Sequence, residues 1–305
     1  MGTTYHITLV NPPSYLGKET LQADIDKLLL DINLQMSTYI IDSELMRLNR
    51  AELNKPIKLS AELHEVLKLS QSVYKLSGGA FDISIGPLVE LWGFGTSEGQ
   101  DDLPSENVIE EAKSRLGSDK LRLNSQALIA IKQGNMALDL SAVAKGYGVD
   151  RVATLLEANR VTNYLVEIGG EIRLAGISPR QQAWRIGIEH PNALDLTQSV
   201  QKAISLTDIA IATSGDYRNY FEVDGKRYSH TIDPRTGWPV THDTVSVTVL
   251  DKSSARADAL ATAFSVLGAE ASLPIANANG IPAFFLIKNA EGYREVSSID
   301  FKPYL

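Results

Sequence analysis

TVSVTVLDKSSARADALATAFSVLG, residues 244–268, decides how this chain is read. Residues 244–250 have strand character. Residues 254–267 follow as a helix, with Ala257, Leu260, Ala261 and Phe264 as its apolar stripe and Gly268 as its stop. Just beyond, residues 281–287 and 293–296 read as a hairpin. Working backward from 244, short strands fit 164–168, 171–175, 184–189, 203–207 and 209–213. Residues 220–223 and 226–230 flank Asp224-Gly225, a two-residue hairpin signal. Strands joined by hairpins and interrupted by helices argue for an α+β fold of mixed, largely antiparallel sheets with packed helices. A doubly wound parallel sheet would alternate strand and helix regularly.

The N-terminal half fills in around this frame. Residues 5–10 alternate as a strand and stop at Asn11-Pro12-Pro13. Leu21, Ile25, Leu28, Leu29 and Ile32 fall at helical spacing. A second helix fits 60–76, with Ser60 as N-cap and Gly78-Gly79 as terminator. The segment GAFDISIGPLVELWGFG (79–95) is glycine-rich and aromatic and reads as packed loop and strand. Residues 96–104 read as a polar surface loop, 105–116 as a short helix, and 121–123 with 127–132 as a hairpin. Residues 141–159 read as a helix despite Gly146 and Gly148, which weaken it.

Composition excludes several functions. The chain has 305 residues, 44% hydrophobic and 22% charged, with a net charge of −8. That balance argues against wrapping nucleic acid or an anionic membrane. With no cysteine, disulfides, zinc–thiolate sites, iron–sulfur clusters and cysteine nucleophiles are out. No run of about 18 apolar residues marks a transmembrane segment. A signal-peptide pattern is not legible either, and an export segment ahead of Met1 would fit a trimmed form.

Chemistry concentrates in a few places. YSHTIDPRTGWP (228–239) folds back on the Asp-Pro and Thr-Gly turn signals, bringing an imidazole, a carboxylate and a guanidinium together. The plain alternative is a solvated turn. His230 is the best general-base candidate of five histidines. Asp258 and Thr262 stand at i and i+4 on one helix face, able to ligate a hard cation such as Mg²⁺. Equally, they could be an exposed pair near a helix N-terminus. Asp139 and Ser141 lie ahead of a helix and Lys145 one turn inside it, a possible anion site; the glycines follow the lysine, so this is no Walker loop. Gly169-Gly170 marks a turn between strands.

Together these stretches resemble the ApbE family of flavin transferases. The matches run in the family's order: MGTTY at Met1, MSTYIIDSEL at Met36, GGAFDISIGPLVELWGFG at Gly78, LDLSAVAKGYGVD at Leu138, EIGGEIRLAG at Glu167, ATSGDYRNYF at Ala212, YSHTIDPRTGWPV at Tyr228 and ARADALATAFSVLG at Ala255. The resemblance implies a T-fold-like architecture over residues 1–305, one unit of two intimately packed subdomains. It implies FAD as substrate and Mg²⁺ beside the pyrophosphate. Carried over by position, Ala142 (through its carbonyl), Asp258 and Thr262 become metal ligands. Met1, Tyr39, Ala80, Phe81, Asp82, Asp139, Lys145 and Ile232 become flavin-site positions, and His230, with Asp258, is linked to transfer. The implied partners are acceptor flavoprotein subunits of membrane redox complexes. The implied location is periplasmic or exported, lipid-anchored at full length, with a cytoplasmic member as the alternative.

The expected reaction is Mg²⁺-dependent transfer of FMN from FAD to a threonine or serine hydroxyl, releasing AMP. The competing expectations are an FAD pyrophosphatase, with water as nucleophile, and an FAD-binding protein without turnover.

Overall fold

A computed structural model describes residues 2–94, 103–189, 200–215, 220–223 and 226–305. The expected surface loop at 96–104 falls largely outside these residues. So do Met1, His190 and the Asp224-Gly225 turn.

The elements in chain order are β1 (Tyr5–Leu9), α1 (Lys18–Met36), α2 (Glu44–Asn49), β2 (Ile57–Lys58), α3 (Ala61–Leu76), α4 (Gly86–Leu91) and α5 (Glu106–Ser114). Next come β3 (Leu121–Asn124), β4 (Ile129–Lys132), α6 (Ala144–Ala158), β5 (Tyr164–Ile168), β6 (Glu171–Ala175), β7 (Trp184–Glu189), β8 (Val200–Leu206) and β9 (Ile209–Gly215). The chain ends with β10 (Tyr220–Val223), β11 (Lys226–Ser229), β12 (Thr244–Asp251), α7 (Ser254–Ala278), β13 (Ala283–Asn289) and β14 (Gly292–Ser297).

A seven-stranded sheet in the order β1-β5-β6-β9-β12-β13-β14 organises the molecule. Each of its pairings is antiparallel. Three smaller sheets, β2-β4-β3, β7-β8 and β10-β11, surround it. The expected α+β class is what the chain adopts.

Strand alternation feeds two cores. Val247 and Val249 of β12 and Ala283 and Phe285 of β13 join the cluster around α7. Leu250, Phe284 and Leu286 join the opposite cluster with Trp184, Ile186 and Ile188 of β7. The central strands are therefore covered on both faces. A third cluster seats α1 and α6 on β5 through Ile25, Val152, Leu156 and Val166.

Two helices depart from the sequence reading. The segment after Gly79 contains α4, not a strand; Pro87 occupies its first turn, where a missing N–H costs nothing. α6 begins at Ala144 rather than Ser141. The Asp139 carboxylate accepts the Ser141 N–H at 2.7 Å, a local turn that competes with helix.

α7 breaks at Gly268, as expected, with φ 73° there, but helix resumes as far as Ala278. Two side chains serve the break: Thr244 Oγ1 accepts the Ala269 N–H at 2.9 Å, and His242 Nε2 lies 3.3 Å from the Val266 carbonyl. Among the described residues α7 is the one helix long and apolar enough to cross a membrane, yet most of its apolar window is buried inside the fold. Its apolarity is that of a core helix packed on β9, β12 and α6.

Candidate active site

The opening of the site is set where segments distant in sequence run side by side. Ile85 and Ala137 form a parallel bridge, and the Asp139 N–H donates to the Ile83 carbonyl at 2.7 Å. This brings residues 80–85 against the turn that leads into α6. The β5–β6 turn, the end of β9, the start of α7 and the loop after β11 close the remaining sides. The result is a cleft of about 350 Å³ lined by Ala80, Phe81, Asp82, Asp139, Ala142, Lys145, His230, Ile232, Asp258 and Thr262, among others. Ten of the twelve positions singled out in the sequence thus converge. Tyr39, 77% exposed, lines a neighbouring groove of about 560 Å³. Both hollows share Asp139, Ser141 and Lys145, so they adjoin at the turn into α6, the elbow between them. Met1 lies outside the described residues.

Oxygen atoms gather beside that elbow. Asp258 is 3% exposed, so the alternative of a solvated Asp–Thr pair does not hold. Its Oδ2 accepts the Gly146 N–H at 3.1 Å. In a continuing helix that N–H would bond the Ala142 carbonyl; the diversion releases this carbonyl from the helical ladder. Thr262 Oγ1 lies 3.3 Å from Ser214 Oγ on β9. Carboxylate, hydroxyl and backbone carbonyl are all hard oxygen donors, a set that suits Mg²⁺. No group of three His, Cys, Asp or Glu side chains fit to hold a metal occurs among the described residues. An ion held here would therefore complete its shell with water and phosphate oxygens.

Charge at the elbow is finely balanced. Lys145 Nζ lies 3.5 Å from Glu171 Oε1 and 3.7 Å from Asp258 Oδ2, and it donates to the Ser141 carbonyl at 3.2 Å. Burial opposes its charge, but Asp258 and Glu171 together hold its pKa above the ordinary lysine value. Burial, reinforced by the Asp258 carboxylate, pushes Glu171 up to about 8. Burial also raises Asp258, against the pull of Lys145 and the Gly146 N–H. Two buried carboxylates served by one lysine favour a further cation.

Glu171 escaped the sequence reading of the site. It is 5% exposed, lines the cleft, and its Oε2 is buried without a hydrogen-bond partner. Its only sequence signal is its place directly after Gly169-Gly170.

The loop after β11 differs from expectation. The carboxylate and the guanidinium pair with each other. Arg235 closes on Asp233 through Nε–Oδ1 at 2.9 Å and Nη2–Oδ2 at 2.7 Å, a fork that uses both charges. The Asp233 and Gly237 amides donate to Trp238 and Asp233 carbonyls at 2.9 and 2.7 Å. Gly237 has φ 81°, and a Cβ there would stand 2.6 Å from Ile109 Cγ2. This braced turn leaves His230 as the member that faces the cleft, with Phe94 edge-on at 6.2 Å.

Asp82 lines the cleft and is also tied into its wall. Its Oδ1 accepts from the Ser84 amide at 2.8 Å, the Ser84 hydroxyl at 2.6 Å and the Ser118 hydroxyl at 2.5 Å. It holds the cleft wall in shape. Trp92, from the aromatic segment read as packed, is core: its Nε1 donates to the Gly237 carbonyl at 2.9 Å, and its ring meets Trp238 at 5.4 Å.

Comparison with known proteins identifies the family. A Vibrio cholerae protein named FAD:protein FMN transferase is 45% identical over 305 residues, covering 100% of this chain and 90% of that relative. The solved structure of the flavin transferase ApbE from Vibrio cholerae superposes with a TM-score of 0.92 at 44% identity, covering 100% of this chain and 96% of that one. The apo flavinyl transferase ApbE of Pseudomonas stutzeri gives 0.91 at 38% identity, with 100% and 94% coverage. The ApbE family's sequence model matches residues 1–285: this chain belongs to the ApbE family.

Proposed function

We propose that this enzyme transfers FMN from FAD to a threonine or serine hydroxyl of an acceptor flavoprotein and releases AMP, with Mg²⁺ as cofactor. The observation that carries the reading is the elbow. Two adjoining hollows, together long enough for the two halves of a dinucleotide, meet at Lys145, and on the cleft side Ala142, Asp258 and Thr262 offer hard oxygens. The relatives' name, FAD:protein FMN transferase, supplies the substrate and the reaction class.

In this reading Ala142, Asp258 and Thr262 would hold Mg²⁺, which neutralises phosphate charge and stabilises the leaving group when bound. Lys145 positions the pyrophosphate by its charge. Phe81 and Ile232 give the flavin apolar walls, and Tyr39 borders the second hollow. The acceptor oxygen forms a bond to the FMN phosphorus as the bond from that phosphorus to the AMP oxygen breaks. His230 takes the hydroxyl proton, and AMP leaves with the electron pair of the broken bond. Asp233 and Arg235 brace the loop that presents His230.

The test is incubation with FAD, Mg²⁺ and a threonine-containing acceptor domain, read by intact mass and AMP release. An acceptor heavier by one FMN phosphoester, only with Mg²⁺, is the expected result. AMP and free FMN with no mass gain would replace transfer by FAD hydrolysis. FAD unchanged in every condition would leave a binding protein.

A further inference from the structure

We infer that Asp150 is a positioning residue for the cation site: it fixes the start of α7 against α6 and so sets the spacing of the oxygen donors. The inference rests on the reading of Ala142, Asp258 and Thr262 as the site of Mg²⁺.

Those donors come from two helices. Ala142 stands ahead of α6, while Asp258 and Thr262 ride on the first turns of α7. A shift of one helix along the other would separate the carbonyl from the carboxylate. Something must therefore hold the two helix starts in register.

Gly146 and Asp150, at i and i+4, share one face of α6, and both meet the start of α7. At Gly146 the helices touch backbone to backbone: a Cβ there would stand 2.4 Å from the Ser254 carbonyl oxygen. One turn further on, the Asp150 carboxylate accepts from the Ser254 amide at 2.9 Å, the Ala255 amide at 3.0 Å and the Ser253 hydroxyl at 2.7 Å. Ser253 is itself the N-cap of α7, accepting the Arg256 amide. Asp150 is thus a second cap supplied from another helix, and its negative charge faces the positive end of α7. Arg173 of β6 holds it from the far side at 3.1 Å.

A cap within one helix only stabilises that helix. This one ties α6 to α7 at the residues next to Asp258, whose own carboxylate accepts the Gly146 amide at 3.1 Å. Amide and carboxylate pairs thus cross the interface in both directions; Asp258 belongs to one of them, and Ala142 and Thr262 lie just beyond it along their segments. Asp150 lines neither hollow, so its effect on the cation must pass through helix placement.

The test compares Asp150→Asn with Glu157→Gln. The first keeps the shape but weakens the cap; the second removes the other carboxylate on Arg173 without touching α7. Mn²⁺ binding is titrated by the loss of the free-ion EPR signal, and the Mg²⁺ dependence of FMN transfer is measured beside it. Asp150→Asn is expected to weaken Mn²⁺ binding about 5–20-fold and to raise the half-saturating Mg²⁺ by a similar factor, around the low end of the roughly 10–100-fold lost when a group bonded directly to a metal ligand is removed, because Asp150 acts one step further away. Its kcat at saturating Mg²⁺ should stay within about threefold, and Glu157→Gln should leave both metal readouts in place. Metal affinity within twofold of the parent in Asp150→Asn, or an equal loss in Glu157→Gln, would overturn the inference. If Asp150→Asn does not fold, Ser253→Ala removes one of the three cap bonds, and the same readouts should move about 2–5-fold or the inference fails. Asp258→Ala separates the two levels. If it abolishes Mn²⁺ binding while Asp150→Asn leaves it intact, only the positioning role falls. If it leaves Mn²⁺ binding intact, the cation site itself is misassigned and both fall.

Discussion

Replacing Gly146 by alanine should cost this enzyme both stability and rate. The position is helical and has no need of glycine conformation, so alanine would by propensity alone favour α6 by about 1 kcal/mol. Packing decides otherwise. The new Cβ would stand 2.4 Å from the Ser254 oxygen and 2.6 Å from its carbon; ordinary carbon–oxygen contacts begin near ~3.3 Å. Both obstacles are backbone, so α6 must retreat by about 0.9 Å. That stretches the Gly146 N–H to Asp258 contact from 3.1 Å to about 4 Å, beyond hydrogen-bond range. Overpacking costs about 1–3 kcal/mol and the lost bond to a carboxylate about 1.5–3 kcal/mol. With the propensity gain subtracted, the net loss is about 1.5–5 kcal/mol. At about 2.1 cal/mol/K per residue, the 305 residues give an unfolding entropy of about 0.6 kcal/mol/K. The melting temperature should fall by about 2–8 °C. A displacement near 1 Å at the reacting centre costs up to about 100-fold in rate, so FMN transfer should drop about 10–100-fold. Circular-dichroism melting and the mass-based transfer assay measure the two effects. Gly17→Ala, where the nearest atom to the new Cβ is 3.6 Å away, is the control. A Gly146→Ala enzyme with parental melting temperature and rate would refute the close-contact argument.

Three other outcomes follow from the same geometry. Asp82→Asn disturbs a carboxylate oxygen that serves three donors and should cost about 1–3 kcal/mol in urea unfolding; an unchanged midpoint would show that the wall does not depend on it. Trp92→Phe leaves the Gly237 carbonyl without its indole donor and should lower stability by about 1–3 kcal/mol, with a change in Trp238 fluorescence from the loss of its neighbour. Glu171, raised to about 8, holds its proton more tightly folded than unfolded. Its contribution is present in full below about pH 4.5 and is lost as pH rises through about 8. Stability in EDTA should therefore decline across that window by up to about 5 kcal/mol. Glu171→Gln should flatten this decline, and melting curves whose pH slope is the same in both proteins would contradict the raised pKa.

Much of the fold was legible because periodicity is local. The strand, helix and hairpin from residue 244 onward lie where spacing put them, and Gly268 breaks α7 as its position suggested. Legibility failed where short-range signals compete. The six residues of α4 are too few to show a helical period, and Pro87 reads as a breaker until it is known to occupy the first turn. The start of α6 was read three residues early because a serine after an aspartate looks like a cap; here the aspartate folds the serine into a turn instead. Within the site, residue types pointed to the right places, but pairing was hidden. Nothing in the string YSHTIDPRTGWP says that Asp233 and Arg235 satisfy each other while His230 faces the cleft. Burial was hidden too. Glu171 looks like any strand glutamate until the sheet and α7 enclose it, and Asp150 looks like a solvated helix residue until α7 is set beside it.

The sheet's order bears on how the chain matures during synthesis. β1, the first strand to emerge, has one partner in the sheet, β5; their His6–Glu167 contact spans 161 residues. At about 5–20 residues per second, a ribosome needs roughly 8–30 s to deliver that partner. Throughout this interval the nascent Tyr5–Leu9 segment carries an unpaired backbone. Its outward-facing His6 and Thr8 then act as gatekeepers against pairing with a neighbouring nascent chain. Production of soluble enzyme should accordingly depend on the polarity of two side chains remote from the cleft.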